Sequence, residues 1–304
     1  MNKTPSKLEL LHPRYWGTWL GIGLLWLLVW LPHRLLLSLG KVLGGLLYLT
    51  VAKRRRIART NIRLCFPELS DNEREKLVRK SFLSYGMTIF ETALVWLRGI
   101  GHLQELAEIS GVEHIKEAQA RGKGVLIIGA HFSTLDISGA LVAPHVQVDV
   151  IYRSSNNPVF EWLIRTGRGG SNDTIIDKQD TRAIIRSLRN GRAVWYAADQ
   201  NYSRQHSVFA PFFGIPASTI RGTSRLVSMT GAAAVFCSHF RLEGGRRYLV
   251  EFSPVLEDFP GVDEVADATR INRLIEDKIR THPEQYLWLH RRFKTRPDGA
   301  APVY

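Results

Sequence analysis

The chain has 304 residues and a formal net charge of +13, with 45% hydrophobic and 23% charged residues. This length and composition predict one large folded domain with a short accessory segment, and they exclude a disordered chain. Its two cysteines, Cys65 and Cys237, form no CxxC pair, which argues against a disulfide framework and a thiolate zinc site. The positive charge requires an anionic partner, and nucleic acid, an anionic membrane and an acidic protein all meet that requirement.

The first predicted element is an apolar N-terminal run. Between Tyr15 and Pro32 the chain carries four tryptophans and no charge. About 20 apolar residues cross a bilayer core, so this run is just long enough to form a membrane-anchor helix. A cleavable signal peptide is the alternative, but no small-x-small cleavage site follows the run. The next apolar stretch, Leu35–Val51, is broken by polar residues and a glycine pair, and we expect an interfacial or partly buried helix there.

A basic cluster follows these apolar stretches. Lys53, Arg54, Arg55 and Arg56 are consecutive, and by the positive-inside rule they place the remainder of the chain in the cytoplasm. A solvated basic face is the simpler interpretation, but beside an apolar anchor the cluster favours contact with acidic lipid headgroups. We therefore predict a membrane anchor and interfacial segment at 1–51 and a cytoplasmic catalytic domain at 52–304.

Helical signals dominate the start of that domain. Ser70 and Glu73 have the spacing of a capping box, which predicts a helix that begins here and extends towards Arg98. A short helix is expected near Glu113–Ala120. The uncharged run Val125–Ala130, bounded by glycines, then predicts a buried central strand.

Strands and helices alternate in the rest of the chain. The sequence predicts further helices at Thr181–Asn190 and Asp263–Thr281. Further strands are predicted at Val146–Tyr152, Ala193–Ala198, Ala232–Phe240 and Tyr248–Phe252. This alternation indicates an α/β fold with a mixed, mainly parallel sheet flanked by helices.

A histidine and an acid follow the predicted central strand. His131 and Asp136 form an H-x-x-x-x-D motif in the turn after the strand, where α/β folds place their sites. Asp136 could accept the proton of one imidazole nitrogen, which would leave the other nitrogen to take a proton from an attacking hydroxyl. Spacing alone leaves a core histidine at a strand end as an equal alternative.

Further segments extend this pattern into a family resemblance. The H-x-x-x-x-D motif, Arg153 in YRSSNNP, Arg168 in RTGRGGSND, Asp199 in WYAADQN and the ending PEQYLWLHRRFKTRP together resemble the lipid A biosynthesis acyltransferases. The resemblance covers nearly the whole chain and is greatest to the lauroyltransferases that act on Kdo2-lipid IVA. It implies a glycerolipid-acyltransferase-like fold. It also implies that the protein is located at the bacterial inner membrane.

The resemblance also implies roles for individual residues. His131 matches the general base of the family and Asp136 its paired acid, while Arg168 and Asp199 match two further polar positions that the family needs. Arg153 and Arg168 could bind a phosphate or a sugar carboxylate, or polarise a thioester oxygen. Gln200, beside Asp199, is a further candidate for substrate binding. A structural ion pair explains Asp199 as well as catalysis does.

The implied substrates are an acyl carrier protein thioester as donor and the hydroxyl of a lipid A acyl chain as acceptor. No metal or nucleotide motif is present, so we expect neither a metal nor another cofactor. Arg182, Arg186 and Arg189 share one face of their predicted helix, which is either solvated or a dock for the carrier protein. The alternatives are a glycerolipid acyltransferase and a non-catalytic basic membrane-binding protein; a nucleic-acid partner is not expected, because no binding motif accompanies the charge.

Overall fold

The computed structural model describes residues 7–169 and 174–304. Helices in the first half of the chain are α1 (Lys7–Leu10), α2 (Trp16–Leu28), α3 (His33–Thr50), α4 (Ala52–Cys65), α5 (Asp71–Leu97), α6 (Val112–Ala120) and α7 (Leu135–Val142). Those in the second half are α8 (Pro158–Gly169), α9 (Thr181–Arg189), α10 (Gly222–Thr230) and α11 (Glu264–Thr281). The predicted helices at 71–98, 113–120, 181–190 and 263–281 are therefore confirmed, with ends that differ by one residue.

One seven-stranded sheet forms the centre of the fold. Its strands are β1 (Ala107–Ser110), β2 (Val125–Gly129), β3 (Val148–Tyr152), β4 (Ile175–Asp177), β5 (Ala193–Ala197), β8 (Ala233–Leu242) and β9 (Arg247–Phe252), and a separate hairpin pairs β6 (Ser207–Phe212) with β7 (Ile215–Ile220). The order across the sheet is β1-β9-β8-β2-β5-β3-β4. Each pair of neighbouring strands in this sheet is parallel, except that β8 is antiparallel to β9. The predicted mixed and mainly parallel sheet is therefore confirmed.

The central strand is the most deeply buried. All five residues of β2 are buried, because β5 and β8 flank it and helices cover both faces. Its apolar, β-branched sequence suits a position with no polar side to present to water. The chain then turns into α7, and this strand-to-helix turn carries His131.

The longest helix, α5, begins at the predicted capping box. The Ser70 side chain accepts from the backbone N–H of Glu73, and the Glu73 carboxylate accepts from the backbone N–H of Ser70. The helix has 27 residues and is about 40 Å long. It packs tightly on α3 at Gly86, where a Cβ atom would overlap the backbone of Gly40 and Gly44.

The expected membrane-anchor helix at Tyr15–Pro32 is shorter than predicted. Helix α2 ends at Leu28, and Pro32 caps a new helix, α3. Its 13 residues reach about 20 Å, less than the ~30 Å of a bilayer core. Within 7–169 and 174–304, no single helix is both long and apolar enough to cross a membrane, although the bent pair α3 and α4, at 93°, passes that test jointly.

The N-terminal helices carry both buried and exposed apolar side chains. Helix α3 buries Leu36, Leu37, Gly40 and Gly44, in agreement with the partly buried helix expected at 35–51. The exposed apolar side chains of these helices and of the segments beside them we name the apolar platform. It comprises Leu11, Trp16, Leu20, Leu24, Trp26, Leu27, Trp30, Leu35, Val42, Leu46 and Leu49.

Candidate active site

The carboxyl ends of three neighbouring parallel strands form the candidate site. In the register of β2 with β5, Gly129 lies opposite Ala197. Continuing each chain by two residues places His131 beside Asp199. Strand β3, on the other side of β5, ends immediately before Arg153. The parallel register thus brings together polar residues that are far apart in sequence.

Asp199 is the carboxylate that holds the imidazole of His131. Its Oδ1 lies 2.7 Å from Nδ1 of His131, and its Oδ2 accepts from the backbone N–H of His131 at 3.0 Å. Asp199 is only 2% exposed. Burial raises its pKa, but the attraction of His131 and the two hydrogen bonds outweigh burial and lower the pKa to about 2. The carboxylate is therefore ionised at neutral pH and accepts a hydrogen bond from the protonated Nδ1 of His131.

This pairing leaves the second nitrogen to do chemistry. When Nδ1 of a neutral imidazole carries the proton, Nε2 is an acceptor. The side-chain amide of Gln200 lies 3.2 Å from Nε2. A substrate hydroxyl that donates its proton to Nε2 would occupy the position of the Gln200 amide or share it. The arrangement matches a general base with an orienting carboxylate.

Asp136 lies in the same site, but its position corrects one part of the sequence interpretation. We predicted Asp136 as the acceptor for an imidazole proton, whereas the Nδ1 bond goes to Asp199. The reason is register: Asp199 continues the strand beside β2, while Asp136 lies in the first turn of α7. There its Oδ2 accepts from Thr92 Oγ1 at 3.1 Å. A carboxylate in the first turn of a helix is stabilised by the helix dipole.

An apolar pocket opens beside His131 and Asp136. Its volume is about 240 Å³, and it lies between α7 and the sheet. The pocket wall is mostly aliphatic and aromatic, with Ile127, Leu135, Val142, Val148, Trp195, Val250 and Phe252 among its residues. Such a pocket can hold a hydrocarbon chain with its reactive end at the imidazole.

The two predicted arginines differ in what the structure describes. Arg153 is exposed and lines the pocket beside His131 and Asp136. Because it is exposed, it can bind an anionic group of a substrate that enters the pocket. Arg168 lies near the end of α8, and its side chain falls outside the described part of the chain.

Cys237 and His239 also line the pocket and were not among the predicted site residues. Burial raises the pKa of Cys237 to about 12, so this thiol stays protonated at neutral pH. Burial also lowers the pKa of His239, to about 3, so this imidazole is neutral. Both sit on β8, which no local motif marks, and only the strand order brings them to the site.

Hydrogen bonds from other segments of the chain hold the turn between β2 and α7 in place. The backbone N–H of Ser133 donates to the carbonyl of Gln285 at 2.7 Å, and Thr134 Oγ1 donates to the carbonyl of His239 at 3.1 Å. The C-terminal segment also supplies His290, whose Nε2 accepts from the backbone N–H of Asn201 at 3.1 Å. These bonds connect the ending PEQYLWLHRRFKTRP to the site.

Within the described residues, no group of three or more His, Cys, Asp or Glu side chains is arranged to hold a metal ion.

Comparison with known proteins gives a consistent result. Residues 3–295 match the family described as bacterial lipid A biosynthesis acyltransferase. The chain is 40% identical over 296 residues to the lipid A biosynthesis lauroyltransferase of Escherichia coli (strain K12), with 97% of each chain covered. It is 39% identical over 297 residues to the lipid A biosynthesis palmitoleoyltransferase of the same organism, again with 97% of each covered. A lipid A biosynthesis acyltransferase of Haemophilus influenzae is 36% identical, over 96% of this chain and 94% of the relative.

Proposed function

Because the chain belongs to the bacterial lipid A biosynthesis acyltransferase family and is an acyltransferase, we propose that it moves a lauroyl chain from acyl carrier protein to a hydroxyl of a lipid A precursor, Kdo2-lipid IVA. The observation that carries this proposal is His131, held by the buried Asp199 at the mouth of an apolar pocket. The family supplies the acceptor class, and the pocket supplies a place for the transferred chain.

His131 acts as the general base in direct transfer. Nε2 takes the proton of the acceptor hydroxyl as its oxygen attacks the thioester carbonyl. The C–S bond then breaks, and the leaving carrier thiolate takes the proton back from the imidazolium. Asp199 stabilises that imidazolium through Nδ1 without itself being protonated. Neither Cys65 nor Cys237 offers a thiolate for a covalent route, because burial raises the pKa of both thiols.

The donor chain occupies the apolar pocket with its thioester at His131. Each methylene buried there contributes about 0.8 kcal/mol, so the depth of the pocket sets which chain length binds best. A palmitoleoyl chain is the second candidate, because the palmitoleoyltransferase and lauroyltransferase relatives are almost equally similar to this chain, at 39% and 40% identity.

An acyl carrier protein suits the role of donor, because it is acidic and the enzyme is strongly basic. A charge of +13 steers an acidic partner to the surface at long range. Arg153 is exposed at the pocket mouth, where the carrier must deliver its thioester. Helix α9 leads from the carboxyl end of β4 to the amino end of β5, so Arg182, at the start of α9, lies at the same edge of the sheet as Arg153. Arg189, at the end of α9, lies at the opposite edge and donates to the carbonyl of Met229.

The enzyme works at the cytoplasmic surface of the bacterial inner membrane, held there by its N-terminal helices. The apolar platform exposes eleven large side chains, whereas the surface of a soluble protein normally exposes such side chains singly. On α3 its members Val42, Leu46 and Leu49 follow at intervals of four and three residues, so they share one helix face. Exposed Lys53, Arg54 and Arg56 come directly after and suit acidic headgroups. These helices lie in one leaflet, with the apolar platform in the acyl region.

A reconstituted transfer reaction tests this function. Purified enzyme would be given carrier-bound lauroyl, myristoyl and palmitoleoyl donors with tetra-acylated acceptor in detergent micelles, and the products identified by mass spectrometry. We expect addition of one lauroyl chain, with the carrier thioester preferred over the coenzyme A thioester. A preference for palmitoleoyl supports the second candidate. Acylation of a lysoglycerophospholipid, but not of the tetra-acylated acceptor, would refute the proposed acceptor.

A further inference from the structure

Three hydroxyl side chains of α5 lie against the turn that carries the His131–Asp136 motif. Ser84, Thr88 and Thr92 are four residues apart, so they share one face of the helix. Ser84 Oγ donates to Ser133 Oγ at 2.8 Å, and Thr88 Oγ1 donates to the carbonyl of Ser133 at 2.6 Å. Thr92 Oγ1 donates to Asp136 Oδ2 at 3.1 Å. We name Ser84, Thr88 and Thr92 the hydroxyl ladder.

A buried ion pair fixes the first rung of the hydroxyl ladder. Arg241 Nη1 donates to Ser84 Oγ at 3.2 Å, so this hydroxyl accepts from Arg241 while it donates to the turn. The same guanidinium is paired with Glu91 of α5, and each of the two side chains is 2% exposed. Tyr248 donates to Glu91 at 2.6 Å. The buried pair therefore holds α5 and β8 in one relative position. The hydrogen bonds of the hydroxyl ladder join α5 in turn to the segment between β2 and α7.

The third rung differs from the other two in what it binds. Ser84 and Thr88 bind Ser133, whose backbone sets the path of the turn, whereas Thr92 binds the carboxylate of Asp136 itself. The two side-chain torsions of an aspartate leave its oxygens free to turn unless they are held. The bond from Thr92 Oγ1 holds Oδ2 of Asp136 against α5, where the carboxylate lines the pocket.

From this geometry we propose that the hydroxyl ladder sets the position of the catalytic turn, and that Thr92 is the positioning residue for the Asp136 carboxylate. This inference deepens the proposed function: it rests on the role of His131 there and gives Asp136, which lines the pocket beside His131, a part in the same chemistry. It assigns Thr92 an effect on the rate of the chemical step, and no contact with the acyl chain or the acceptor.

Substitution of Thr92 tests the assignment. Thr92→Val keeps the shape of the side chain and removes the donor. Because hydrogen bonds to charged groups are among the stronger ones, we expect kcat to fall about 10-fold or more, with KM for donor and acceptor changed less than about 2-fold. Thr92→Ser keeps the hydroxyl and should restore kcat to within about 3-fold of the unmodified enzyme. Thr269→Val is the matched control, because Thr269 is half-buried on α11, as Thr92 is on α5, and its hydroxyl donates to the carbonyl of Val265 in its own helix.

A double-mutant cycle with Asp136→Ala separates the possible outcomes. If Thr92 acts through Asp136, then Thr92→Val should lower kcat no further in the Asp136→Ala background. Equal losses in both backgrounds, or a kcat for Thr92→Val that stays within about 2-fold, would overturn the ladder proposal while leaving the proposed base intact. If Asp136→Ala itself retains full activity, then Asp136 has no part in catalysis and the ladder proposal is overturned, while the proposed base stands.

Discussion

Substitution of Asp199 by asparagine probes the orientation of the catalytic imidazole with a minimal change in shape. In the native site the Asp199 carboxylate accepts from both Nδ1 and the backbone N–H of His131. An asparagine can keep one of these bonds through its carbonyl oxygen, but its amide nitrogen is a donor. If that amide faces the ring, Nδ1 becomes the acceptor and Nε2 carries the proton, so the base points the wrong way.

The size of the effect follows from what the carboxylate does. It fixes the tautomer and stabilises the imidazolium, and in the Ser-His-Asp triad of the serine proteases the same exchange lowers kcat about 10⁴-fold. Here the pKa of Asp199 is lowered from 3.8 to about 2, which corresponds to about 2–3 kcal/mol of preference for the ionised form. If an interaction of this size stabilises the imidazolium in the transition state, its loss alone would lower the rate about 50-fold. We therefore expect kcat to fall by between about 50-fold and 10⁴-fold.

The same pKa shift predicts how stability depends on pH. A lowered folded-state pKa means that the ionised Asp199 stabilises the fold above pH 3.8, and that this contribution is lost as the pH falls towards about 2. The Asp199→Asn variant should therefore be less stable at neutral pH by up to about 2–3 kcal/mol, and the difference should shrink in acid. Denaturant unfolding at neutral and acidic pH measures this difference.

The assay is the initial rate of transfer per folded enzyme, measured at saturating donor and acceptor. Circular dichroism at the assay temperature would confirm that the variant is folded, so a fall in rate cannot be attributed to unfolding. A kcat for Asp199→Asn within about 3-fold of the unmodified enzyme would refute the role of Asp199 as the orienting carboxylate.

Of four further predictions, one concerns packing, one the buried pair, and two the donor. Gly86→Ala should lower the free energy of unfolding by about 1–3 kcal/mol, because the new methyl group overlaps the backbone of α3; denaturant titration measures this, and an unchanged midpoint would contradict the close helix contact. Arg241→Met should cost about 3–5 kcal/mol, since it leaves the buried Glu91 without its cation, and the double variant with Glu91→Leu should recover most of that loss. Raising salt from 0.1 M to 1 M shortens the Debye length from ~10 Å to ~3 Å, so KM for the carrier-bound donor should rise while kcat changes little. Charge reversal at Arg182 should raise that KM more than the same change at Arg189, which lies about 10 Å further along α9, away from the site; equal effects would exclude a dock at the start of α9.

Much of the fold could be predicted because its signals are local. The capping box at Ser70 marks the start of α5, and the uncharged run at 125–130 marks the central strand. Short elements with weaker signals were missed, among them β4 and the hairpin of β6 and β7. Pro211 and Pro216 interrupt the hairpin sequence, and prolines within a run argue against a strand. They are tolerated because each lies on a strand that pairs on one side only.

The site was predicted in part for the same reason. His131 and Asp136 share a motif, and the position of Asp199 at the end of an apolar strand indicated that it needs a partner. Its partner could not be predicted from composition, because strand order and register decide which residues meet. The hydroxyl ladder did leave a sequence signal, since Ser84, Thr88 and Thr92 recur every fourth residue on a predicted helix. Without knowledge of what that helix face contacts, such a pattern has no specific meaning.

The length predicted for the N-terminal helix was wrong for a different physical reason. Composition between Tyr15 and Pro32 satisfies the length of a span, but the chain leaves the helix after Leu28 and Pro32 begins the next one. The apolar content of this segment thus predicted a hydrophobic surface correctly. It did not predict that the helix in this segment ends at Leu28.

The decisive measurement is the rate of acyl transfer by His131→Ala. The variant and the matched control His145→Ala, which changes an exposed histidine, would be assayed side by side with carrier-bound lauroyl donor and tetra-acylated acceptor, after both are shown to be folded. Loss of the general base should lower the rate of transfer by at least ~100-fold in His131→Ala and leave His145→Ala unchanged. Transfer by folded His131→Ala at a rate near that of the unmodified enzyme would contradict the general-base mechanism.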